Sequence, residues 1–387
     1  MSHRFGLKGN LALMVSHCAG MLDLVALPLW VGILVASYQF DSQQAGGLVT
    51  LFLIGAVCAS VLIAPHFKSL NRRMVAALGF LASGVCFFAA SQTNDYLQLA
   101  LLHVVAGISS SAALSMAHGM FARGENPHRL FAIAGLTLGV MGFVFMGATP
   151  NITQAVGGHS LFIIFGGIMT LAALVCAVAF PSVVLGHEEN VNEKSVATKI
   201  PSSVWFGIVG ISLMAVTQAM TFSFMERVGN DRGFSTDSVT LVLVVMALIN
   251  IVAAALAGIF QKRFSAQVVL FVGPVLQIIL SNIMMNASSF VFYAASAACF
   301  VSIMIFTHTF VFGLLARLDV SGRAMAATPA MLMIGAAIGP VLGGTIIKLF
   351  DYQGIGIAAF VFGTISLVCF MRVFQHRSDA ISTESAV

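Results

Sequence analysis

The chain has 387 residues, and only 8% of them are charged, whereas a soluble domain of ordinary composition carries about 25%. Hydrophobic residue types make up 59%, and the formal net charge is only +4. These values exclude a soluble globular fold, a disordered chain and a nucleic-acid-binding domain with a basic surface, because too few charges are present to cover so much apolar surface. The composition indicates an all-α polytopic membrane protein.

Apolar runs long enough to cross a bilayer as a helix, which takes about 20 residues, recur along the whole chain. Twelve such runs are predicted, at about 11–36, 45–65, 74–92, 97–121, 130–149, 161–181, 204–226, 238–260, 268–285, 290–316, 324–347 and 354–374. The first run is too long for a signal peptide, so we expect it to remain as a helix. The polar stretch 186–203 is predicted to be a cytoplasmic linker between two six-helix domains, residues 1–185 and 204–387.

Positive charges between these runs fall mostly on one side of the membrane. If the N-terminus is cytoplasmic, fifteen Lys and Arg residues lie in cytoplasmic segments, and only Arg227, Arg232 and Lys348 lie outside. Cytoplasmic loops are enriched in Lys and Arg, so the asymmetry predicts that both termini are cytoplasmic. It also favours twelve spans, because one missing or extra span would reverse every later loop.

The two halves of the chain align at one constant offset in residue number. Residues 122–129 and 316–323 both read A-R-x-acid-x-x-x-R, and the loop 40–43 pairs with 234–237 at the same offset, which is 194 in each case (316 − 122 and 234 − 40). Six helices return the chain to the same side of the membrane, so the repeat is parallel, about an axis along the membrane normal. We therefore expect two pseudo-symmetric six-helix bundles.

Charged residues of the cytoplasmic loops are candidates for a gate on that side. An exposed ion pair is worth about 0–1 kcal/mol, but a pair made in only one conformation shifts the balance between conformations. The candidates are Lys68, Arg72, Arg73, Arg123, Glu125, Arg129, Arg317, Asp319 and Arg323.

Three short patterns accompany the repeat. The segment 64–73 ends in the basic pair Arg72-Arg73, and His103 precedes Gly107 by four residues in the fourth span. The eleventh span carries a G-x-x-x-G-P-x-x-G-G helix-packing motif, formed by Gly335, Gly339, Pro340, Gly343 and Gly344. Together with the twelve spans, these patterns resemble those of the major facilitator superfamily of bacterial and other transporters. The resemblance covers essentially the whole chain and implies alternating access between two helical bundles.

Each pattern departs from the form that the family usually has. Lys68 lies where the loop after the second span normally has an acidic residue, and His103 lies where the fourth span often has an arginine. The glycine-proline motif lies in the eleventh span, whereas antiporters of the family carry it in the fifth. The resemblance therefore predicts the architecture and leaves the subfamily open.

Asp23 is the one acidic residue deep inside a predicted span. An ionised carboxylate there costs several kcal/mol unless it is paired or faces water. Steps of three and four residues place Ser16, Gly20, Leu27 and Trp30 on the same stripe of the helix, which suits the wall of a central cavity. We interpret Asp23 as a protonation site or substrate anchor, and Trp30 as a substrate contact. The alternative is a carboxyl that only ties helices together.

Further polar candidates lie in the fourth and seventh spans. His103 and His118 lie near one face of the fourth span, where they could relay protons or bind an anionic solute, or act as neutral contacts between helices. Gln218 lies one residue from the repeat position of Asp23, so it is expected to face the same cavity. Glu226 and Arg227 either line an outer gate or are solvated at the interface.

The sequence offers no set of residues for catalysis. The six cysteines lie in apolar runs without C-x-x-C spacing, His17 and His308 are expected to pack, and neither a Walker loop nor a G-x-S-x-G elbow is present. We therefore expect neither an enzyme, nor a cofactor, nor a bound metal.

We expect a multi-pass monomer in the lipid bilayer of a bacterial inner membrane, with a small-molecule substrate and no nucleic-acid partner. The leading hypothesis is a secondary transporter of a small organic solute coupled to protons. A uniporter, a sodium-coupled transporter, and a transporter-like sensor without transport remain alternatives.

Overall fold

The computed structural model describes seven stretches of the chain, namely 5–63, 66–67, 69–121, 123–181, 201–260, 263–318 and 328–384. The linker as far as residue 200 lies outside them. So do three of the gate candidates, Lys68, Asp319 and Arg323.

The chain divides into two compact units, Met1–Val191 and Asn192–Val387. The N-terminal unit contains α1 (Leu7–Gly20), α2 (Leu22–Ala36), α3 (Ser42–Ile63), α4 (Arg72–Ala90), α5 (Tyr96–Phe121), α6 (Pro127–Val156) and α7 (Ser160–Ala179). The C-terminal unit contains α8 (Ser202–Ser223), α9 (Met225–Asp231), α10 (Thr236–Phe260), α11 (Ala266–Asn286), α12 (Phe290–Leu318) and α13 (Thr328–Glu384).

The helices of the two units begin in the same register. The starts of α3, α4 and α5 are Ser42, Arg72 and Tyr96, and those of α10, α11 and α12 are Thr236, Ala266 and Phe290. Each difference (236 − 42, 266 − 72, 290 − 96) is 194. In the N-terminal unit α3 packs on α5, and α4 on α5 and α7, while in the C-terminal unit α10 packs on α12, and α11 on α12 and α13. The repeat seen in the sequence is therefore also a repeat of helices and of their packing.

Polar residues at the junctions determine where several helices begin. Asn71 accepts a hydrogen bond from the backbone N–H of Met74 at 3.2 Å, and Asn126 accepts one from Arg129 at 3.0 Å. Ser265, at the repeat position of Asn71, accepts from Val268 at 3.3 Å. Each side chain satisfies one of the free N–H groups in the first turn of a helix, so the polar junctions act as N-caps.

Eleven helical stretches in the described part are long and apolar enough to cross a membrane, against the twelve predicted. The difference arises in α13, whose apolar portion Leu332–Gln375 has 44 residues, about twice the length that a bilayer core requires. Within it, Asp351 leaves the helical region with φ 59° and ψ −170°. The count of twelve and the cytoplasmic position of the termini remain predictions.

Apolar side chains lie both inside each unit and on its surface. In the C-terminal unit, buried side chains of α8, α11, α12 and α13 form a core that includes Ile211, Leu270, Val311, Leu315 and Phe370. On the surface, Val178 is 77% exposed and Val156 is 73% exposed. Surfaces with such side chains suit contact with lipid, since they expose apolar area that water would disfavour.

The first and seventh spans are each interrupted near an acidic residue. Met21 (φ −108°, ψ 20°) separates α1 from α2, and Phe224 (φ −108°, ψ 7°) separates α8 from α9. Neither interruption has a proline at the break. Pro28, by contrast, lies inside α2 without ending it.

Candidate functional site

Asp23 and Glu226 occupy matching positions beside these two interruptions. Asp23 is the second residue of α2, and Glu226 is the second residue of α9. The chain thus places one carboxyl directly after a break in each unit. Sequence reasoning singled out both residues, but the breaks beside them were not predicted.

Asp23 is partly exposed at the start of α2. Its side chain extends from the first turn of this helix. The first turn of a helix has N–H groups without intrahelical partners and the positive end of the helix dipole, so it stabilises a carboxylate. The break therefore places Asp23 at a helix start, an environment that the middle of an unbroken span would not provide.

The stripe predicted to accompany Asp23 has two different environments. The hydroxyl of Ser16 is buried and lies 3.0 Å from the sulfur of Cys176, and Leu27 and Trp30 are also buried. Gly20 is partly exposed, and a side chain there would come within 2.7 Å of Leu114 on α5. Within the N-terminal unit, most of the stripe thus packs against neighbouring helices.

Trp30 and His103 lie in the aromatic core of the N-terminal unit, where they are each 1% exposed. Their ring centroids are 5.4 Å apart, and Trp30 packs edge-on against Phe165 at 4.9 Å. His103 Nδ1 is 2.6 Å from the carbonyl oxygen of Leu99, so Nδ1 donates this hydrogen bond. Trp30 Nε1 and His103 Nε2 have no partner in the described part of the chain.

His17 and His118 form a pair that the sequence did not predict. His17 Nδ1 lies 3.0 Å from His118 Nε2, and both rings lie beside Phe121 at 5.9 Å. One nitrogen of such a pair donates and the other accepts. Two imidazoles fall short of the three or four ligands that a zinc site uses, and the described residues contain no group of three His, Cys, Asp or Glu side chains suited to a metal ion.

Gln218 belongs to a polar ladder between α8 and α11. Its Oε1 accepts a hydrogen bond from Gln277 Nε2 at 3.2 Å, and the hydroxyls of Thr221 and Ser281 lie 2.9 Å apart one turn further on. Gln277 Nε2 also donates to the carbonyl of Met214 at 3.1 Å. The remaining amide atoms, Gln218 Nε2 and Gln277 Oε1, are buried and have no partner among the described residues.

Arg227 and Glu226 have different partners although they are neighbours in sequence. Arg227 forms an ion pair with Asp231, with Nη2 2.7 Å from Oδ1, and Tyr352 donates a hydrogen bond to Asp231 Oδ2 at 2.5 Å. Glu226 Oε1 accepts a hydrogen bond from Asn230. The predicted site residues did not include Asp231, Tyr352 or Asn230. Nothing in the sequence pattern links position 231 to position 352.

The described gate candidates of the N-terminal unit contact their own unit. Arg73 Nε donates to the carbonyl of Ala177 at 2.7 Å, near the end of α7. The guanidinium groups of Arg72 and Arg123 lie 5.4 Å and 4.3 Å from the ring centroid of Phe67, within the range of cation–π attraction. Two further gate candidates of this unit, Glu125 and Arg129, are exposed, and so is Arg317 of the C-terminal unit.

The glycine motif of α13 lies where this helix packs on α8. A Cβ atom added at Gly335 would be 2.6 Å from Ala215 Cβ, and one at Gly343 would be 2.9 Å from the carbonyl oxygen of Met220. Real Cβ atoms essentially never come this close to another heavy atom, so the glycines permit close contact between the two helices.

Solved structures with the same fold are membrane transporters. The chain is similar to a mutant of the nucleoside transporter NupG, with a TM-score of 0.75, 15% identity, and coverage of 95% of this chain and 99% of that one. It is similar to a D-xylose–proton symporter (0.72, 13%, 95% and 96%) and to a bacterial homologue of the human lysosomal transporter Spinster, in an inward-facing and occupied conformation (0.70, 14%, 95% and 95%). Identities this low show the fold alone.

Comparison of sequences gives the family. No curated protein sequence matches the chain. The sequence profile of the Major Facilitator Superfamily matches residues 12–319 and again residues 209–386. Together the two matches extend over nearly the whole chain and include both units. The chain therefore belongs to the Major Facilitator Superfamily, a family of membrane transporters.

Proposed function

We propose that the protein is a secondary transporter of the bacterial inner membrane, which moves a small organic solute by alternating access and is driven by protons. The observation that carries the proposal is the position of Asp23. Asp23 is a partly exposed residue inside the apolar stretch Leu7–Ala36, directly after a break in the helix. A group that binds and releases a proton within a membrane needs access to water and polar partners, and this position supports both.

Composition supports a substrate of low charge. Only 8% of the residues are charged, and Asp23 is far from the polar ends of its span. A polyanion would need several cationic partners, since each phosphate or carboxylate would otherwise lose its hydration without compensation. A neutral or singly charged solute fits better. Among the similar structures, one is a D-xylose–proton symporter and one is a nucleoside transporter, and both names describe solutes of low charge or none.

The arrangement that we propose for transport has twelve spans and two cytoplasmic termini. Residues 1–185 and 204–387 would form the two bundles, and residues 186–203 would join them. The family and the repeat of helix starts support this arrangement.

Reconstitution tests the proposal. Wild-type protein in liposomes, with a pH-sensitive dye inside and single solutes from a library outside, should acidify the interior when the transported solute enters. The same solute should accumulate when the outside is made acidic, and a sodium gradient alone should not drive it. Solute entry with no change of internal pH would favour a uniporter, sodium-driven accumulation would favour sodium coupling, and binding without any entry would favour a sensor.

A further inference from the structure

Glu226 and Asn230 lie one turn apart on α9 and share a single hydrogen bond. Asn230 Nδ2 donates to Glu226 Oε1. The two oxygen atoms left over, Glu226 Oε2 and Asn230 Oδ1, are both buried, and neither has a partner among the described residues. An ionised carboxylate and an amide oxygen are both acceptors, so they cannot satisfy each other. A buried acceptor without a donor costs about 1–3 kcal/mol, and more when it is charged.

The nearby cations have other partners. Arg227 pairs with Asp231 through both Nη2 and Nε, at 2.7 Å and 3.0 Å. The charges of these two residues act on Glu226 with opposite signs. Arg232 Nη2 donates to the carbonyl oxygen of Met285 at 2.9 Å. No ion pair links Glu226 to another residue in the described part of the C-terminal unit.

The hydroxyl groups that approach from neighbouring helices also have other acceptors. Tyr293 of α12 donates to the carbonyl oxygen of Met225 at 2.8 Å. Tyr352 of α13 donates to Asp231 at 2.5 Å. Neither hydroxyl donates to Glu226, so among the described residues the group has neither a counter-ion nor a second donor.

We propose that Glu226 carries a proton in this conformation and that its Oε2–H group donates to Asn230 Oδ1. With this proton, Glu226 Oε2 becomes a donor and Asn230 Oδ1 has a donor to accept from. The carboxylic acid and the amide are then joined by a ring of two hydrogen bonds. Glu226 is thus a second proton-carrying carboxyl, located in the C-terminal unit. Its role in coupling rests on the proposed function, whereas its protonation does not. Release of the proton would leave a carboxylate beside an unpaired amide oxygen, so Glu226 must reach water or a cation before it ionises stably.

Infrared spectroscopy tests this directly, because the C=O stretch of a protonated carboxyl absorbs apart from that of a carboxylate. The sample is the full-length protein in lipid nanodiscs with ¹³C-labelled glutamate, so that aspartates such as Asp23 do not contribute to the labelled signal. Among the described glutamates, Glu226 alone lies within a candidate span. We expect a glutamic acid band at neutral pH that disappears in Glu226→Gln. The band should shift in Asn230→Leu, which removes the acceptor, and stay unchanged in Glu125→Gln, which alters an exposed glutamate.

The labelled wild-type protein decides the question even if a variant does not fold. Absence of a glutamic acid band at neutral pH would overturn the proposal, and so would a band that persists in Glu226→Gln. A band that behaves as expected in a protein that moves no protons with solute would support this inference and contradict the proposed function. Proton-driven transport in a protein without the glutamic acid band would support the proposed function and contradict this inference.

Discussion

The imidazole Nδ1 of His17 lies 3.0 Å from Nε2 of His118 and joins α1 to α5 inside the N-terminal unit. Replacing His118 with Phe should lower the free energy of unfolding by about 1–3 kcal/mol, because it leaves a buried polar atom of His17 without a partner. The double variant His17→Phe/His118→Phe should recover part of the loss. Unfolding in denaturing detergent is measured for the wild type, for the single variants His17→Phe and His118→Phe, and for the double variant.

The exposed histidine His66 provides the control for this cycle, since His66→Phe should change stability little. A double variant whose loss equals the sum of the two single losses would show that the two rings do not interact energetically.

Asp23→Asn keeps the shape and hydrogen-bonding capacity of the side chain but cannot exchange a proton. We expect this variant to bind solute and to exchange it across the membrane, while it loses accumulation driven by a pH gradient. Solute counterflow and pH-driven uptake in the same liposomes separate the two activities. Asp237→Asn, which alters an exposed acid in the first turn of α10, is the matched control and should retain both.

A purely structural Asp23 would give the opposite pattern. Asp23→Asn would then retain pH-driven uptake, and Asp23→Ala would lower the melting temperature. Full pH-driven uptake in Asp23→Asn would move the coupling role to His103, whose Nε2 lies in the aromatic core without a partner among the described residues.

Gly335→Ala should weaken the packing of α13 on α8. The added Cβ would lie 2.6 Å from Ala215 Cβ and 2.8 Å from the carbonyl oxygen of Ser212, and overpacking of this kind costs typically about 1–3 kcal/mol. Gly313→Ala is the control, because a Cβ there meets nothing within 4 Å and alanine favours a helix by about 0.5–1 kcal/mol. Melting temperatures should fall for the first variant and hold or rise for the second. Equal changes in melting temperature for the two variants would argue against close packing at Gly335.

Single cysteines introduced at Ser69 and Ser235 test the orientation. With the six native cysteines replaced, Ser69→Cys should react only with reagents that reach the cytoplasm, and Ser235→Cys should react with a membrane-impermeant reagent added outside. Neither residue lies inside a helix. Ser235 accepts a hydrogen bond from the backbone N–H of Ser238 at 3.3 Å at the start of α10, so Ser235→Cys should cost about 0.5–2 kcal/mol of stability without changing the fold. Labelling of both from the same side would contradict the predicted topology.

Local composition and periodicity predicted most of the spans, because a bilayer demands long apolar helices with polar ends. The same repeat that aligned the loops of the two halves also aligns the starts of three helix pairs. The interruptions at Met21 and Phe224 were not predictable in this way. Neither residue is itself a proline or glycine. Gly20 adjoins the first break but no glycine or proline adjoins the second, and Pro28 interrupts nothing although it carries a stronger signal.

Contacts between distant positions escaped prediction for a different reason. His17 and His118 are 101 residues apart, and Tyr352 and Asp231 are 121 apart. Helical periodicity relates only residues on the same helix, and the repeat between the two units relates only equivalent positions. Partners on different helices of one unit therefore need the packed structure.

The register of the helices bears on the origin of the two acidic sites. The spacings between successive helix starts in the N-terminal unit (72 − 42 and 96 − 72) recur unchanged in the C-terminal unit (266 − 236 and 290 − 266). If the units descend from one ancestral segment, no net insertion or deletion has accumulated between these starts. The positions of Asp23 and Glu226, however, differ by 203 (226 − 23), nine more than the offset of the repeat. By that offset they are not equivalent positions of the repeat, so the likeness of the two sites, a carboxyl directly after a break, does not follow from the register of these helices.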